Sequence, residues 1–162
     1  MFYDQLKRVN NVTTQLTTEG SIRIRSMESK DSGAIIDIYR ILSGAGMTIT
    51  LIDLFTEDIK ESLALSFIAE FNYQMVGFIL ARRAYIGAPV VEVCLIQGLI
   101  IHPLHQGQDI ETRLVESLTE RAKSMGIKII RAILSTNDPR MEAFFSRLNF
   151  HRAQVLVCDK TL

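Results

Sequence analysis

IIHPLHQGQDIETRLVESL, residues 100–118, runs from the end of an apolar strand through a short polar loop into an amphipathic helix. Ile110, Leu114, Val115 and Leu118 keep helical spacing, and Ala122 and Met125 continue it. Gly126 then offers the left-handed residue that ends such a helix. Upstream, Val90 to Ile101 is a long apolar run suited to a central strand covered on both faces. Gly98 inside it marks a bulge or a close backbone approach.

Working outward, Ile22-Arg23-Ile24-Arg25 alternates as a half-buried strand does. Ser29 and Asp31 offer helix caps, Ile35, Ile38, Tyr39 and Leu42 follow at helical spacing, and Gly44 and Gly46 supply a stop. A second helix is expected over about Leu51 to Ser62. Leu65 to Phe71 and Met75 to Ala84 form two strands around a hairpin turn at Asn72-Tyr73-Gln74. Downstream, Ile127 to Leu134 reads as a strand, Met141, Phe144, Phe145 and Leu148 as a short helix, and Gln154 to Cys158 as a last strand. This order implies an α/β fold with antiparallel and parallel parts in one sheet. Residues 1–20 read as a polar leader and residues 21–162 as a single domain.

The 162 residues suit one domain with a core of its own. A formal net charge of zero gives no electrostatic case for nucleic acid or an anionic membrane surface. No apolar run approaches the roughly 20 residues that span a bilayer, and the first residues lack a signal-peptide core. A cytoplasmic protein without nucleic-acid or membrane partners is expected. Cys94 and Cys158 sit in apolar contexts and read as buried free thiols. His102, His105 and His151 lack zinc-ligand spacing, so no metal is expected.

Four segments in this order resemble the GCN5-related N-acetyltransferases, the GNAT superfamily. IRIRSMESKDSGAIIDIYR resembles its opening strand and helix, and FIAEFNYQMVGFILARR its hairpin with an Ala-Glu and Val-Gly pattern. LIIHPLHQGQDIETRLVESL resembles the fourth strand and acyl-CoA loop, and AILSTNDPRMEAFFSRLNF the fifth strand and the helix ending in Gly-Phe. The resemblance covers about residues 21–159. It implies a GNAT fold, a mixed and mostly antiparallel central sheet flanked by about four helices. It also implies acetyl-CoA or another acyl-CoA as cofactor, with a small-molecule or peptide amine as acceptor.

The chemistry of the loop is that of a helix start. Unpaired N–H groups and a positive partial charge attract an anion, and small residues let a pyrophosphate come close. The family loop reads Gln/Arg-x-x-Gly-x-Gly/Ala. Gln106 matches its first position, Gly107 and Gln108 are common in the next two, and Asp109 and Glu111 stand at the two small positions. A carboxylate about 5 Å from a phosphate charge costs about 1–3 kcal/mol, against about 8 kcal/mol for micromolar binding. Alternatively, Asp109 caps the helix, worth about 1 kcal/mol, while Glu111 complements its dipole. Arg113 and His105 offer positive charge to a displaced ligand.

The resemblance carries the rest of the site onto Leu99, Ile100 and Ile101, whose amides polarise the acyl carbonyl, and onto the loop Gln106, Gly107, Gln108, Asp109, Ile110 and Glu111. Gln97 and Gly98 occupy the places where many members hold a carboxylate base. Gln97 can orient a water or substrate but takes no proton, and Glu92 lies earlier in the strand. The tyrosine that protonates the leaving thiolate in many members is Phe145 here. The cofactor-contacting Asn after the fifth strand aligns with Asp138, or with Asn137 if the loop shifts by one. On the acceptor side Thr48 to Phe55 and Arg82 to Ala88 show no convergent charge cluster. Three readings follow: an acyl-CoA-dependent N-acyltransferase, a non-catalytic binding or regulatory protein of the same fold, or an enzyme with another donor. The edge of the last strand offers a homodimer contact.

Overall fold

The computed structural model describes residues 20–43 and 63–162. Five strands form one sheet in sequential order: β1 (Ile22–Ser26), β2 (Phe67–Phe71), β3 (Gln74–Ile86), β4 (Val91–Ile101) and β5 (Ile130–Ala132). The first four are antiparallel neighbours, whereas β4 and β5 run parallel. The parallel pair requires a crossover, and the crossover is α2 (Ile110–Ser124). α1 (Ser32–Ser43) follows β1, and α3 (Pro139–Arg147) follows β5. Leu63 and Ala64 are also helical. The described residues thus hold three complete α-helices, fewer than the four expected. The helix expected over 51–62 and the leader through residue 19 lie outside the described residues.

Alternation along the strands sorts the side chains into two cores. On one face Phe67, Ala69, Ile79, Ala81, Cys94 and Ile96 meet Ile110, Leu114, Val115, Leu118 and Ala122 of α2 and Phe145 of α3. On the other, Ile68, Phe78 and Leu80 meet Ile35 and Ile38 of α1, together with Met27. The sheet is therefore the middle of three layers.

Local chemistry sets the element ends. Asn72 and Tyr73 take φ of 50° and 64° between the paired residues Phe71 and Gln74, the two left-handed residues that a two-residue hairpin matching strand twist requires. Gly126 ends α2 with φ 76°, its N–H donating to Lys123 O at 3.0 Å and that of Ile127 to Ala122 O at 3.0 Å. Asn149 ends α3 in the same way at φ 63°, with Phe150 N–H donating to Phe145 O at 3.0 Å. Asn adopts this conformation because its short polar side chain tolerates it.

Three expectations are corrected. Gln154 to Cys158 is not a strand, and Val155, Leu156 and Val157 are exposed. Apolar, β-prone residues make a strand only where an edge accepts their backbone groups, and no described edge does so here. Cys158 is consequently exposed, while Cys94 alone of the two is buried. Asp31 does not serve α1 as a simple cap. It lies in a short 3-10 turn (Ser29–Asp31), where its carboxylate accepts the Glu28 N–H at 2.8 Å and pairs with Arg25.

Candidate active site at the end of strands four and five

Pairing between β3 and β4 runs Leu80 with Gly98 and then Ala81 with Ile96. Gln97 is the extra residue, and β4 bulges there, one position before the glycine that signalled it. The bulge shifts the alternation. Cys94 and Ile96 share a core with α2 before it, and Leu99 and Ile101 do so after it. The amides shift likewise. Cys94 donates toward β5, to Ile129 O at 2.8 Å, while His102 donates toward β3, to Val76 O at 2.7 Å. By the antiparallel alternation, Leu99 and Ile101 then aim their N–H groups away from β3, and Ile100 aims its own toward it.

Pairing between β4 and β5 stops at Ile96 with Ala132, five residues before β4 ends at Ile101. Beyond that point the outward amides of Leu99 and Ile101 face no strand among the described residues. An open wedge at the carboxyl ends of parallel strands is where ligands bind in sheets of this kind. The side chain of Ile100 packs against the α1 core, so it points away from the α2 face of the wedge.

The loop from β4 delivers α2 to the same end of the sheet. A 3-10 turn at Pro103–His105 leads into Gln106, Gly107, Gln108 and Asp109, all four exposed. Gly107 takes φ 78° and Asp109 takes φ 60° with ψ 18°. Position 109, where the resemblance places a glycine, is thus left-handed, and Asp is among the few other residues that adopt such a backbone at modest cost. Asp109 occupies the N-cap place, but its side chain makes no capping hydrogen bond. This corrects the self-capped reading. The first helical bond is Arg113 N–H to Asp109 O at 3.2 Å, so the amides of Ile110, Glu111 and Thr112 stand at an end that no side chain among the described residues caps. Ile110 brings only its amide, because its side chain is fully buried in the core. Glu111 is half-buried in the first turn.

The other anticipated residues separate. Asn137 lies exposed on the loop after β5, its N–H donating to Ser135 Oγ at 3.2 Å. Asp138 accepts the Met141 N–H at 3.2 Å and caps α3, so of the two only the Asn137 side chain has no hydrogen bond among the described residues. Phe145 is 3% exposed and packs edge-on against Phe144 and Phe150. Glu92 pairs with Arg83 at 3.2 Å and accepts from Tyr85 Oη at 3.3 Å, at the strand end remote from the bulge. Burial pushes the Cys94 thiol up to about 11, which removes it as a nucleophile. Arg113, a source of positive charge for a displaced ligand in the sequence, donates to Ile22 O at 2.9 Å and ties α2 to β1. His105 packs beside Phe71 and His102, and its Nδ1 is buried without a partner among the described residues.

Sequence reasoning missed one grouping. Arg82 on β3 and Arg131 on β5 both register with Leu95 of β4. Nothing in either local sequence links them, since the two positions are 49 apart in the chain and only strand pairing brings them to either side of β4.

A family model described as the acetyltransferase (GNAT) family matches residues 35–150. A search of curated proteins returns no match. Among solved structures, the aminoglycoside N-acetyltransferase AAC(6')-Iy in complex with CoA is 15% identical with a TM-score of 0.73, over 90% of this chain and 98% of that one. The aminoglycoside 6'-N-acetyltransferase AAC(6')-Ih from Acinetobacter baumannii is 16% identical with a TM-score of 0.69, over 88% and 99%. A protein described as a predicted acetyltransferase, with acetyl-CoA, from Clostridium acetobutylicum is 17% identical with a TM-score of 0.71, over 86% and 96%. At these identities the structural likeness establishes the fold, a mixed five-stranded sheet between helices. The family match spans most of the chain, including the bulged strand, the wedge and the loop into α2, and the chain belongs to the GNAT acetyltransferase family.

Proposed function

We propose that this protein transfers an acyl group from an acyl-CoA, acetyl-CoA in the first instance, to an amine. The uncapped start of α2 carries the reading. Its free amides and dipole lie at the mouth of a wedge that exposes further main-chain donors. The pyrophosphate would lie on the loop Gln106 to Glu111, with the thioester in the wedge. There the amides of Leu99 and Ile101 would polarise its carbonyl, and the exposed Asn137 would contact the cofactor from the β5 side.

The amine nitrogen attacks the carbonyl carbon, the C–N bond forms, and the C–S bond breaks. The amine's proton passes to solvent and the thiolate of CoA takes one up. Gln97, half-buried at the bulge, orients the acceptor or a water and carries no proton itself. Phe145 has none to give. The reaction therefore rests on positioning an already neutral amine.

A non-catalytic binding role is favoured by one observation. Two carboxylates, Asp109 and Glu111, stand at the start of the helix that would hold the pyrophosphate. Calorimetric titration of acetyl-CoA decides between the two. Micromolar binding, displaced by CoA, supports the transferase. No binding by the wild type or by Asp109→Gly/Glu111→Gly would sink it.

A further inference from the structure

β3, β4 and β5 lie side by side, and Arg82, Leu95 and Arg131 form one row across them. The face of that row follows from its neighbours. Ala81, Ile96, Ile130 and Ala132 all belong to the α2 core, so Arg82, Leu95 and Arg131 point to the opposite face, the one that α1 covers further along. Gln97 is two residues beyond Leu95 on the same side, because the bulge places it with Gly98, the partner of Leu80.

The two arginine positions flank β4 at about 10 Å from one another, twice the spacing of adjacent strands. Their long side chains can converge above Leu95. Arg131 is half-buried and Arg82 exposed, and neither has an ion-pair partner among the described residues. Their neighbour Arg83 lies on the other face, paired with Glu92 at 3.2 Å. A guanidinium held part-way out of water without a carboxylate presents an open fork for one.

We propose that Arg82 and Arg131 bind the carboxylate or phosphate of the acceptor, so that the substrate is an amine that also carries an anionic group. This rests on the transferase reading, since it places that group beside Gln97 with the amine toward the bulge and the wedge. It also sets this chain apart from acceptors that are polycations, which two unpaired guanidiniums repel.

Four short amines that differ only at the far end test it: β-alanine (carboxylate), O-phosphoethanolamine (phosphate), propylamine (methyl) and putrescine (a second ammonium). Binding is measured by ligand-observed NMR on the protein with and without acetyl-CoA, and acyl transfer is measured in parallel as CoA release. An anionic amine should bind at least about tenfold more tightly than propylamine, with putrescine weakest. The stronger of β-alanine and O-phosphoethanolamine tells which anion the site takes. Arg82→Gln/Arg131→Gln should abolish the preference at unchanged acetyl-CoA affinity, and Arg82→Lys/Arg131→Lys should keep much of it. Propylamine or putrescine binding as well as the anionic amines overturns the proposal, as does a preference that survives the double Gln variant. Anionic amines that bind without CoA release under any condition would refute the transferase reading and leave the anion site standing.

Discussion

Arg25 and Asp31 form a two-pronged ion pair, with Nη2 to Oδ1 at 2.8 Å and Nη1 to Oδ2 at 2.9 Å. Arg25 reaches on to Glu70 Oε1 at 2.8 Å, so one side chain clasps β1, the following turn and β2. Burial raises the Asp31 carboxyl, but hydrogen bonds from Arg25 and the Glu28 amide outweigh it, and the net displacement is downward from 3.8. A carboxyl lowered on folding stabilises the native state above its unfolded value. That contribution is lost as pH falls from about 3.8 through the lower folded value. Asp31→Asn should therefore cost about 2 kcal/mol at pH 7 and flatten the acid limb of stability. Urea melts between pH 7 and 3 check this, and an Asn variant with an unchanged acid slope would contradict it.

Asp109 holds a left-handed backbone without capping α2. Asp109→Gly should keep or slightly raise stability while removing a charge from the loop, and acetyl-CoA should bind about tenfold more tightly. Asp109→Val should lower stability by about 1–2 kcal/mol, because a β-branched residue resists positive φ. Thermal melts and calorimetry on the two variants separate backbone from charge.

Gly77 pairs with Ile101, the last residue of β4, beyond the bulge. A Cβ there would meet Ile101 Cδ1 at 2.5 Å and the Ile100 carbonyl oxygen at 2.9 Å. The side chain can turn aside, but the carbonyl belongs to the strand that lines the wedge. Gly77→Ala should lose about 1–3 kcal/mol, and transfer activity should fall more than the fraction unfolded explains. Activity that simply follows stability would mean the wedge tolerates the shift.

The two thiols should behave oppositely. Cys158 is exposed, whereas Cys94 is buried with its thiol pushed up to about 11. A thiol reagent at pH 8 should modify one cysteine per native chain within minutes and the second only on unfolding. Mass spectrometry of the labelled peptides identifies which.

Phe145 is packed between Phe144 and Phe150 beneath α2. Phe145→Ala should cost about 3–5 kcal/mol, visible as a lowered melting point. A loss under 1 kcal/mol would remove it from the core.

The layered fold was legible because its signals are local and periodic. The apolar spacing of α2, the hairpin turn at Asn72-Tyr73-Gln74, and Gly126 as a helix end act within a few residues of themselves. Gly98 announced a bulge for the same reason, although the extra residue is Gln97. Gln154 to Cys158 shows the limit: this apolar run remains unpaired among the described residues, because a strand needs a partner that its own sequence does not contain.

The sequence by itself determined the order of the described elements from β1 to α3, the two buried faces and the identity of the loop that opens α2, since hydrophobic period and turn chemistry are written residue by residue. Tertiary structure alone decided that Asp109 does not cap the helix start, that Arg113 is bound to β1 while the Asn137 side chain has no partner among the described residues, and that Arg82 and Arg131 share a row. Each of these depends on where a backbone turns or which strand lies alongside, and strand pairing joins residues that chain distance keeps apart.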